Sequence, residues 1–332
     1  MERWGNNLMS DLFEGLKQSL REKSKKSIVF PEATDERILT AATRLAAEEL
    51  VAPVLVGKDE DIKALADKLG VDVAGCDILD PNTYEGMDEM LDAFVERRNG
   101  RVSKEEAVHV LKDANFFGTM LVHLNKAAGL VSGAAHSTSD TVRPALQIIK
   151  TKEGVSKTSG VFIMVRGDEK YVFADCAINI APTSDDLAEI AVESARTAEL
   201  FDVDPRVAML SFSTKGSAKS VETERVIEAV KLAKEKNPEL IIDGEFQFDT
   251  AFVPSVAASK APDSDIKGDA TVFVFPSLEA GNIGYKLTER LGGFEAVGPI
   301  LQGLNKPVND LSRGCSDEDA YKLALITAAQ VE

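Results

Sequence analysis

The sequence predicts an α/β protein, and three observations lead to that fold class. Short apolar runs alternate along the chain with longer segments whose apolar residues recur at helical spacing. The apolar runs are continuous, which is typical of strands in a sheet that is covered on both faces. The length of 332 residues favours two domains or one large one. Regular alternation of strand and helix is the pattern of an α/β architecture.

The first elements form a β-α-β unit. Residues 26–30 are a short apolar run that ends at Pro31, and residues 35–50 carry Ile38, Leu39, Ala42 and other apolar side chains on one helical face. A second apolar run, residues 52–56, stops at Gly57. This spacing predicts that the two strands are parallel and joined by a crossover helix.

The later elements repeat the alternation. Residues 160–165 and 171–174 predict two strands joined by a tight turn, and therefore an antiparallel hairpin within a mostly parallel sheet. Further strands are predicted at 208–212, 240–243 and 271–275, and helices at 187–200, 221–236 and 316–329. The polar stretch 150–159 and the segment 298–307 are candidate domain boundaries.

Composition and charge exclude several function classes. The formal net charge is −17, which argues against a general role in binding nucleic acid or an anionic membrane. There is no run of about 18 apolar residues, and the amino terminus lacks the order of a signal peptide. The three cysteines are far apart and the three histidines are isolated, so we expect a reducing cytoplasm, no disulfide framework and no metal site.

Two segments have the composition of anion-binding loops. Residues 211–217 follow a predicted strand but have Lys-Gly where a phosphate loop needs Gly-Lys, so a nucleotide-binding loop is rejected. In the second segment, Pro144 fits the first turn of a helix that runs toward Lys150. Arg143 would then lie at the helix mouth as part of an anion site. Ordinary capping by a hydroxyl or by Asp140 is an equal alternative.

The carboxy-terminal segment brings together a hydroxyl, a cation and a carboxylate. Ser312, Arg313 and Asp319 lie where a loop enters the last predicted helix. Such groups can hold an anionic acyl donor and remove a proton from a nucleophile. Ser316 also begins an S-x-x-D pattern, so Asp319 has the alternative role of partner in a capping box. Cys315 is a further candidate nucleophile, although thiol reactivity depends on its pKa and exposure.

Three other segments are candidates for ligand contact. Residues 96–101 form a basic cluster in an acidic chain, either a solvated helix end or a clamp for a phosphate-rich ligand. Residues 243–249 and 280–286 follow predicted strands, where α/β proteins usually bind ligands, and both are expected to be loops. Gly281 and Gly284 would let the main chain approach a ligand, and Lys286 would add a positive charge.

Four runs of sequence resemble the phosphate acetyltransferase family. They are His-Ser-Thr-Ser-Asp-Thr-Val-Arg-Pro and its continuation (136–151), Asp-Gly-Glu-Phe-Gln-Phe-Asp (243–249), Gly-Asn-Ile-Gly-Tyr-Lys (281–286) and Val-Asn-Asp-Leu-Ser-Arg-Gly (308–314). The resemblance spans residues 28–330. It implies the reversible conversion of acetyl-CoA and phosphate into CoA and acetyl phosphate.

The resemblance also implies an architecture. The fold would be two αβα sandwich domains of the isocitrate/isopropylmalate dehydrogenase-like type, with the active site in the interdomain cleft. The first domain would hold residues 1–153 and 305–332, and residues 154–304 would form an inserted second domain. The protein would be a cytoplasmic homodimer without metal or other cofactor, with CoA as a substrate and no nucleic-acid or membrane partner.

Functional residues follow from the same resemblance. Asp319 corresponds to the aspartate that deprotonates the thiol of CoA, Arg313 to the arginine that neutralises transition-state charge, and Ser312 to the serine beside it. The implied substrate-binding residues are Arg143, Arg98 with Arg97 as its rival, Ser137, Thr138, Asn282, Tyr285 and Lys286. The implied mechanism is direct attack of the CoA thiolate on acetyl phosphate in a ternary complex.

Three other functions compete with this interpretation. The nearest is a phosphate acyltransferase for a longer group such as butyryl, which differs in the width of the acyl pocket. A non-enzymatic module that binds acetyl-CoA would be expected to lack Ser312, Arg313 or Asp319, and all three are present. A decarboxylating dehydrogenase of similar fold would need clustered metal-binding aspartates, a pattern that the sequence does not show.

Overall fold

A computed structural model describes residues 9–331 of the chain. Up to residue 149 the elements are α1 (Met9–Arg21), β1 (Lys26–Phe30), α2 (Glu36–Ala47), β2 (Val51–Val56), α3 (Asp59–Leu69), β3 (Asp77–Leu79), α4 (Met87–Arg97), α5 (Lys104–Val110), α6 (Ala114–His123), β4 (Gly129–Ser132), α7 (Thr138–Pro144) and a π-helical turn (Ala145–Ile149).

The remaining elements complete the alternation. They are β5 (Ser159–Arg166), β6 (Glu169–Ala174), α8 (Ser184–Leu200), β7 (Arg206–Leu210), α9 (Val221–Lys236), β8 (Ile241–Phe246), α10 (Phe248–Phe252), α11 (Pro254–Lys260), β9 (Val272–Val274), α12 (Leu278–Gly292), β10 (Glu295–Gln302), β11 (Val308–Asp310) and α13 (Asp317–Ala329). The α/β fold class is therefore confirmed.

The chain divides into two compact units. The first unit contains Phe13–Lys152 and residues 304–331, and the second contains Glu153–Gly303 together with residues 9–12, which the sequence assigned to the first domain. Residues 1–8, which the sequence assigned to the first domain, lie outside the described residues. The expected active-site cleft between the domains stays a prediction.

The first unit is built on a parallel sheet of five strands in the order β11-β4-β1-β2-β3. The predicted β1-α2-β2 unit is confirmed, with Lys26 paired to Val51 and Phe30 to Leu55. Ile28, Val29 and Phe30 are all fully buried. Because neighbouring side chains on a strand point to opposite faces, burial of consecutive residues shows that both faces of this sheet are covered.

The second unit is built on a mixed sheet of six strands in the order β10-β5-β6-β9-β7-β8. The predicted hairpin is confirmed, because β5 and β6 are antiparallel and Phe162 is paired with Phe173. Strands β6, β9, β7 and β8 run parallel to one another. A cluster of aromatic side chains, including Phe173, Phe246 and Phe273, forms the core on this sheet.

Two local predictions are wrong. The helix that contains Pro144 begins at Thr138, so Arg143 lies in the last turn of α7 and not at its mouth. Ser137 and Asp140 form a capping box that starts this helix before the proline is reached. The π-helical turn that follows Pro144 accommodates a residue with no N–H to donate.

Residues 280–286 are not a loop but part of α12. The glycines have a packing role there. A Cβ atom at Gly281 would collide with the carbonyl oxygen of Asp175, and one at Gly284 would lie 2.8 Å from the ring of Phe275. Residues 243–246 likewise belong to β8, and residues 248–252 form α10.

Candidate active site in the first unit

The carboxyl ends of three neighbouring strands define the candidate site. Strands β11, β4 and β1 are adjacent and parallel, so the segments that follow them start at the same edge of the sheet. Those segments are 31–35, 133–137 and 311–316. They contain two of the sequence-predicted clusters, the one at Ser137 and the one at Ser312.

Glu32, in the segment after β1, is a buried carboxylate that holds the segment after β4. Its Oε2 accepts hydrogen bonds from the main-chain N–H groups of Gly133 at 3.0 Å and Ala134 at 2.8 Å, and its Oε1 accepts from that of Ala135 at 2.8 Å. The same Oε1 lies 2.6 Å from Nδ1 of His136. Four consecutive residues are therefore fixed by one side chain.

Arg37, at the start of α2, joins all three segments. Its guanidinium forms a salt bridge with Asp35 at 2.8 Å and donates to the main-chain oxygen of Ala134 at 2.7 Å. It also donates to the main-chain oxygens of Arg313 at 2.9 Å and Cys315 at 3.0 Å. The Asp35 carboxylate raises the pKa of Arg37 and so keeps this tie charged. These charge-assisted bonds fix the backbone of the Ser312–Cys315 segment.

Ser312, Arg313 and Asp319 lie within the segment that connects β11 to α13 and in the first turn of that helix. All three are exposed. The described contacts of Arg313 are made by its main chain, because its carbonyl oxygen accepts from Arg37. Ser312 Oγ accepts from the N–H of Gly314 at 3.3 Å. The segment is thus held by its backbone, which leaves the Arg313 guanidinium available for a ligand.

Asp319 does form the capping box that was its alternative role. Its Oδ2 accepts from the N–H and the hydroxyl of Ser316, both at 2.8 Å, and the N–H of Asp319 donates to Ser316 Oγ at 3.1 Å. Both described side-chain bonds end on Oδ2, so capping fixes the carboxylate without engaging Oδ1. Capping and a role as a base are therefore compatible.

The thiols have the environment of unreactive cysteines. Burial raises the pKa of Cys315, and the nearby carboxylates of Asp319, Asp35 and Glu32 raise it further, against the opposing charge of Arg37. Burial also raises the pKa of Cys76, to about 11, and that of Cys176. Since the thiolate is the nucleophile, these shifts disfavour covalent catalysis by Cys315.

Asp310, at the carboxyl end of β11, is a buried acid that sequence reasoning did not single out. It is 3% exposed, and its Oδ1 has no hydrogen-bond partner among the described residues. Burial raises the pKa of this carboxyl group to about 6, the charge of Glu32 adds to the rise, and a hydrogen bond with Thr138 opposes it.

The predicted ligand residues around α7 and α4 differ in whether their side chains already have hydrogen-bond or ion-pair partners in the protein. Ser137 caps α7 and donates through Oγ to Asp140 at 2.7 Å. Arg143 is exposed and lies 3.7 Å from Asp140. Arg97 donates to the main-chain oxygens of Ile148 and Ile149, whereas Nε of Arg98 is buried and has no partner among the described residues. Of the two rivals, Arg98 is the one left for a ligand.

The second unit carries the other three predicted ligand residues on α12. Asn282 donates through its side-chain amide to the main-chain oxygen of Cys176 at 3.2 Å. Tyr285 is stacked on Phe162, with the ring centroids 4.1 Å apart. Lys286 is exposed. Asn282 and Tyr285 thus help to pack the helix against its own unit.

The residues that sequence reasoning missed had a usable signal. Glu32, Asp35 and Arg37 follow the first predicted strand directly, at the edge where α/β proteins bind ligands. Their long-range partners lie as far as 278 positions away in the chain, as for Arg37 and Cys315. The spacing of residues along the sequence does not reveal such long-range contacts.

The chain is similar to proteins of known function over nearly its full length. The family model described as phosphate acetyl/butaryl transferase matches residues 10–328. A phosphate acetyltransferase of Bacillus subtilis strain 168 is 68% identical over 97% of this chain and 99% of its own length. A phosphate acetyltransferase of Staphylococcus epidermidis is 62% identical, with the same coverage of both chains.

Two solved structures are also similar to this chain. The EutD phosphotransacetylase from Staphylococcus aureus superposes with a TM-score of 0.94 at 59% identity, covering 98% of this chain and 100% of its own. A branched-chain phosphotransacylase from Enterococcus faecalis V583 has a TM-score of 0.66 at 17% identity, covering 92% of this chain and 100% of its own, and shows a shared fold.

Proposed function

This chain belongs to the phosphate acetyl/butaryl transferase family and is an acyltransferase, and from that premise we propose that it catalyses the reversible reaction of acetyl-CoA with phosphate to give CoA and acetyl phosphate. The observation that carries the proposal is the 68% identity, over almost the whole of both chains, to a phosphate acetyltransferase. The sheet-edge site supplies the groups that this chemistry needs.

The proposed reaction is a direct attack in a ternary complex. A free thiol is mostly protonated at neutral pH, so a base that takes its proton during the attack increases the reactive fraction. We assign that role to Asp319, acting through Oδ1. The thiolate adds to the acetyl carbonyl of acetyl phosphate, and the phosphate departs.

Arg313 and Ser312 are assigned to the charge that develops in this step. Negative charge grows on the carbonyl oxygen and on the leaving phosphate, and a fixed cation and a hydroxyl stabilise both. Support for Arg313 comes from the way Arg37 holds its backbone at 2.9 Å while its side chain is exposed. Groups held in place before a reaction lower its reorganisation cost, and for Arg313 the part held in place is the backbone.

The substrate-binding residues of the proposal are the seven that the sequence resemblance implies. Arg98 and Arg143 would bind the phosphates of CoA, with Ser137 and Thr138 beside them. Asn282, Tyr285 and Lys286 would contact phosphate. The buried Nε of Arg98, which lacks a partner among the described residues, supports its part.

The proposed reaction uses no metal ion and no bound cofactor, with CoA as a substrate. Thiol, carbonyl and acyl phosphate already contain the nucleophile, electrophile and leaving group, so the described side chains need to move only protons and stabilise charge. A cytoplasmic location is part of the proposal. It is supported by the three cysteines, which are all free thiols and so fit a reducing compartment.

A homodimer is also proposed, with α12 as the contact surface. Ile283, Leu287 and Leu291 recur at helical spacing and are 58, 52 and 83% exposed. Glu279 and Arg290 flank this stripe near opposite ends of the helix. In a two-fold antiparallel contact, Glu279 of one copy would meet Arg290 of the other, so the surface is complementary to itself.

The experiment that tests the proposed function is a parallel assay of thioester formation from CoA with acetyl, propionyl and butyryl phosphate. We expect acetyl phosphate to have the highest kcat/KM. A higher kcat/KM for butyryl phosphate would replace the proposal with the alternative of a longer acyl group. No thioester from any of the three would contradict both.

A further inference from the structure

Glu32 and His136 form a carboxylate–imidazole pair that the proposed reaction has not used. Glu32 Oε1 lies 2.6 Å from His136 Nδ1, and the side chain of Glu32 is 2% exposed whereas that of His136 is 41% exposed. Because Glu32 also accepts three main-chain N–H groups, its carboxylate is fixed. A carboxylate at Nδ1 sets the tautomer of the ring and leaves Nε2 to act on a ligand.

The chemistry of acyl phosphates calls for a proton donor at the departing phosphate oxygen. Acetyl phosphate is a dianion at neutral pH, and breaking its carbonyl–oxygen bond without a proton would release fully deprotonated phosphate, a strong base and a poor leaving group. Arg313 does not give up its proton in a protein. Asp319, as the base, receives a proton from the thiol. Arg313 therefore does not supply the proton that the departing oxygen needs, and Asp319 holds one only after it has taken the proton of the thiol.

His136 lies in the segment next to the proposed catalytic loop. Strand β11 pairs with β4, and the N–H of Leu311 donates to the main-chain oxygen of Ser132 at 2.7 Å. Arg37 then binds the oxygen of Ala134, two residues before His136, and the oxygen of Arg313. Hydrogen bonds from the Arg37 guanidinium therefore connect the loop after β4 with the loop after β11.

Carboxylates lie on several sides of the pair. Glu32 lies directly at Nδ1 of His136, and Asp140 of α7 accepts hydrogen bonds from the N–H and the hydroxyl of the neighbouring Ser137. Asp310 of β11 is close enough to Glu32 for the charge of Glu32 to raise its pKa. The positive charge of Arg37 acts against the negative charge of these carboxylates, but the Arg37 guanidinium is paired with Asp35.

We propose that His136, oriented by Glu32, is a catalytic residue that exchanges a proton with the phosphate oxygen bonded to the acetyl group. This inference rests on the proposed function and adds a residue to it. When CoA attacks, the thiol proton passes to Asp319 and the carbon–sulfur bond forms. As the carbon–oxygen bond breaks, its electron pair goes to the phosphate oxygen, which takes the proton from Nε2. In the reverse direction, neutral His136 accepts the proton of the attacking hydrogen phosphate.

The test compares matched variants in the acetyl phosphate and CoA reaction. His136→Asn keeps an amide donor where Nδ1 faces Glu32 but has no proton to transfer, so kcat is expected to fall by about 10²–10⁴-fold, the usual contribution of a general acid. His136→Gln should lose a similar factor. His109→Asn, which changes an exposed histidine of α5, is the control and should leave kcat unchanged.

Two further readouts separate proton transfer from a structural role. Added imidazole should restore turnover to His136→Ala in proportion to its concentration. The turnover rate with methyl acetyl phosphate, whose leaving group is less basic, should fall less in His136→Asn than the turnover rate with acetyl phosphate. Wild-type kcat in folded His136→Asn and His136→Gln, or a loss confined to KM and insensitive to imidazole, would overturn the inference. An inactive wild-type protein would instead contradict the proposed function.

Discussion

At the scale of single residues, buried carboxylates organise the sheet edges. Glu32 holds the segment after β4. In the second unit, Asp175 accepts from the N–H groups of Gly160, Ala177 and Ile178, and Glu245 accepts from the hydroxyl of Ser213. Each carboxylate replaces lost hydration by fixed N–H or O–H donors, which makes its burial tolerable. The backbone that these carboxylates fix forms loops at or beside strand ends.

Asp310 differs from these carboxylates and gives a prediction for stability. Its pKa is about 6 in the folded protein, above the ordinary 3.8. The folded state therefore binds the proton more tightly, and this residue should lower stability as pH rises from about 4 to about 6, by about 3 kcal/mol in total. Asp310→Asn should remove that decline. Urea unfolding at a series of pH values measures it, and an unchanged pH dependence in the variant would contradict the assignment.

At the scale of elements, the position of α12 depends on small residues. Its glycines let the helix approach the turn after β6 and the ring of Phe275. Asn282 reinforces the contact by donating to the oxygen of Cys176. In the first unit, α13 is held against α2 by the stacking of Arg44 on the ring of Tyr321, at 3.8 Å. Packing thus fixes the helices that carry predicted ligand and catalytic residues.

Gly281→Ala tests the packing of α12. Its Cβ atom would collide with the main-chain oxygen of Asp175, so we expect a loss of about 1–3 kcal/mol in the free energy of unfolding. Gly292→Ala is the control in the same helix, because its Cβ would make an ordinary 3.4 Å contact with Phe294. That change should be neutral or stabilising by up to about 1 kcal/mol. Equal effects of the two substitutions in chemical denaturation would be inconsistent with the packing described.

Much of the element pattern could be predicted from the sequence. Helix α9 has the predicted bounds Val221–Lys236, because Ser220 caps its start and its apolar residues keep one helical period.

The errors arose where a residue type is compatible with two different structural roles. Pro144 suggested a helix start, but the Ser137–Asp140 capping box acts earlier. Gly281 and Gly284 suggested a loop, but they allow close packing. Contacts such as Arg37 with Arg313 depend on strand order, which local pattern does not reveal.

At the scale of the whole molecule, net charge and exposed apolar surface determine what we expect of substrate binding and of contact with another copy of the chain. A net charge of −17 repels anionic substrates at long range, so we expect their binding to depend on local cations, for which Arg98, Arg143 and Arg313 are our candidates. Among the described residues, no helix has both the length and the apolar character needed to cross a membrane. The exposed apolar stripe on α12 is the surface that we propose for contact with another copy of the chain.

Leu287→Arg tests the proposed dimer. The substitution places a charge in the middle of the stripe, where burial without a partner is costly, so we expect a shift from dimer to monomer. Sedimentation equilibrium of the wild type and the variant measures the change. Lys231→Glu, on an exposed position of α9, is the control and should stay dimeric. A wild type that is monomeric, or a variant that remains dimeric, would contradict this surface.

The central claim is that the sheet-edge site of the first unit transfers the acetyl group. Its most direct test is the initial rate of acetyl-CoA formation from CoA and acetyl phosphate by wild type and Arg313→Ala. Loss of one preorganised donor to developing charge should lower kcat by about 10²–10³-fold, while circular dichroism and the unfolding midpoint stay unchanged. A folded Arg313→Ala protein that turns over at the wild-type rate would contradict the account.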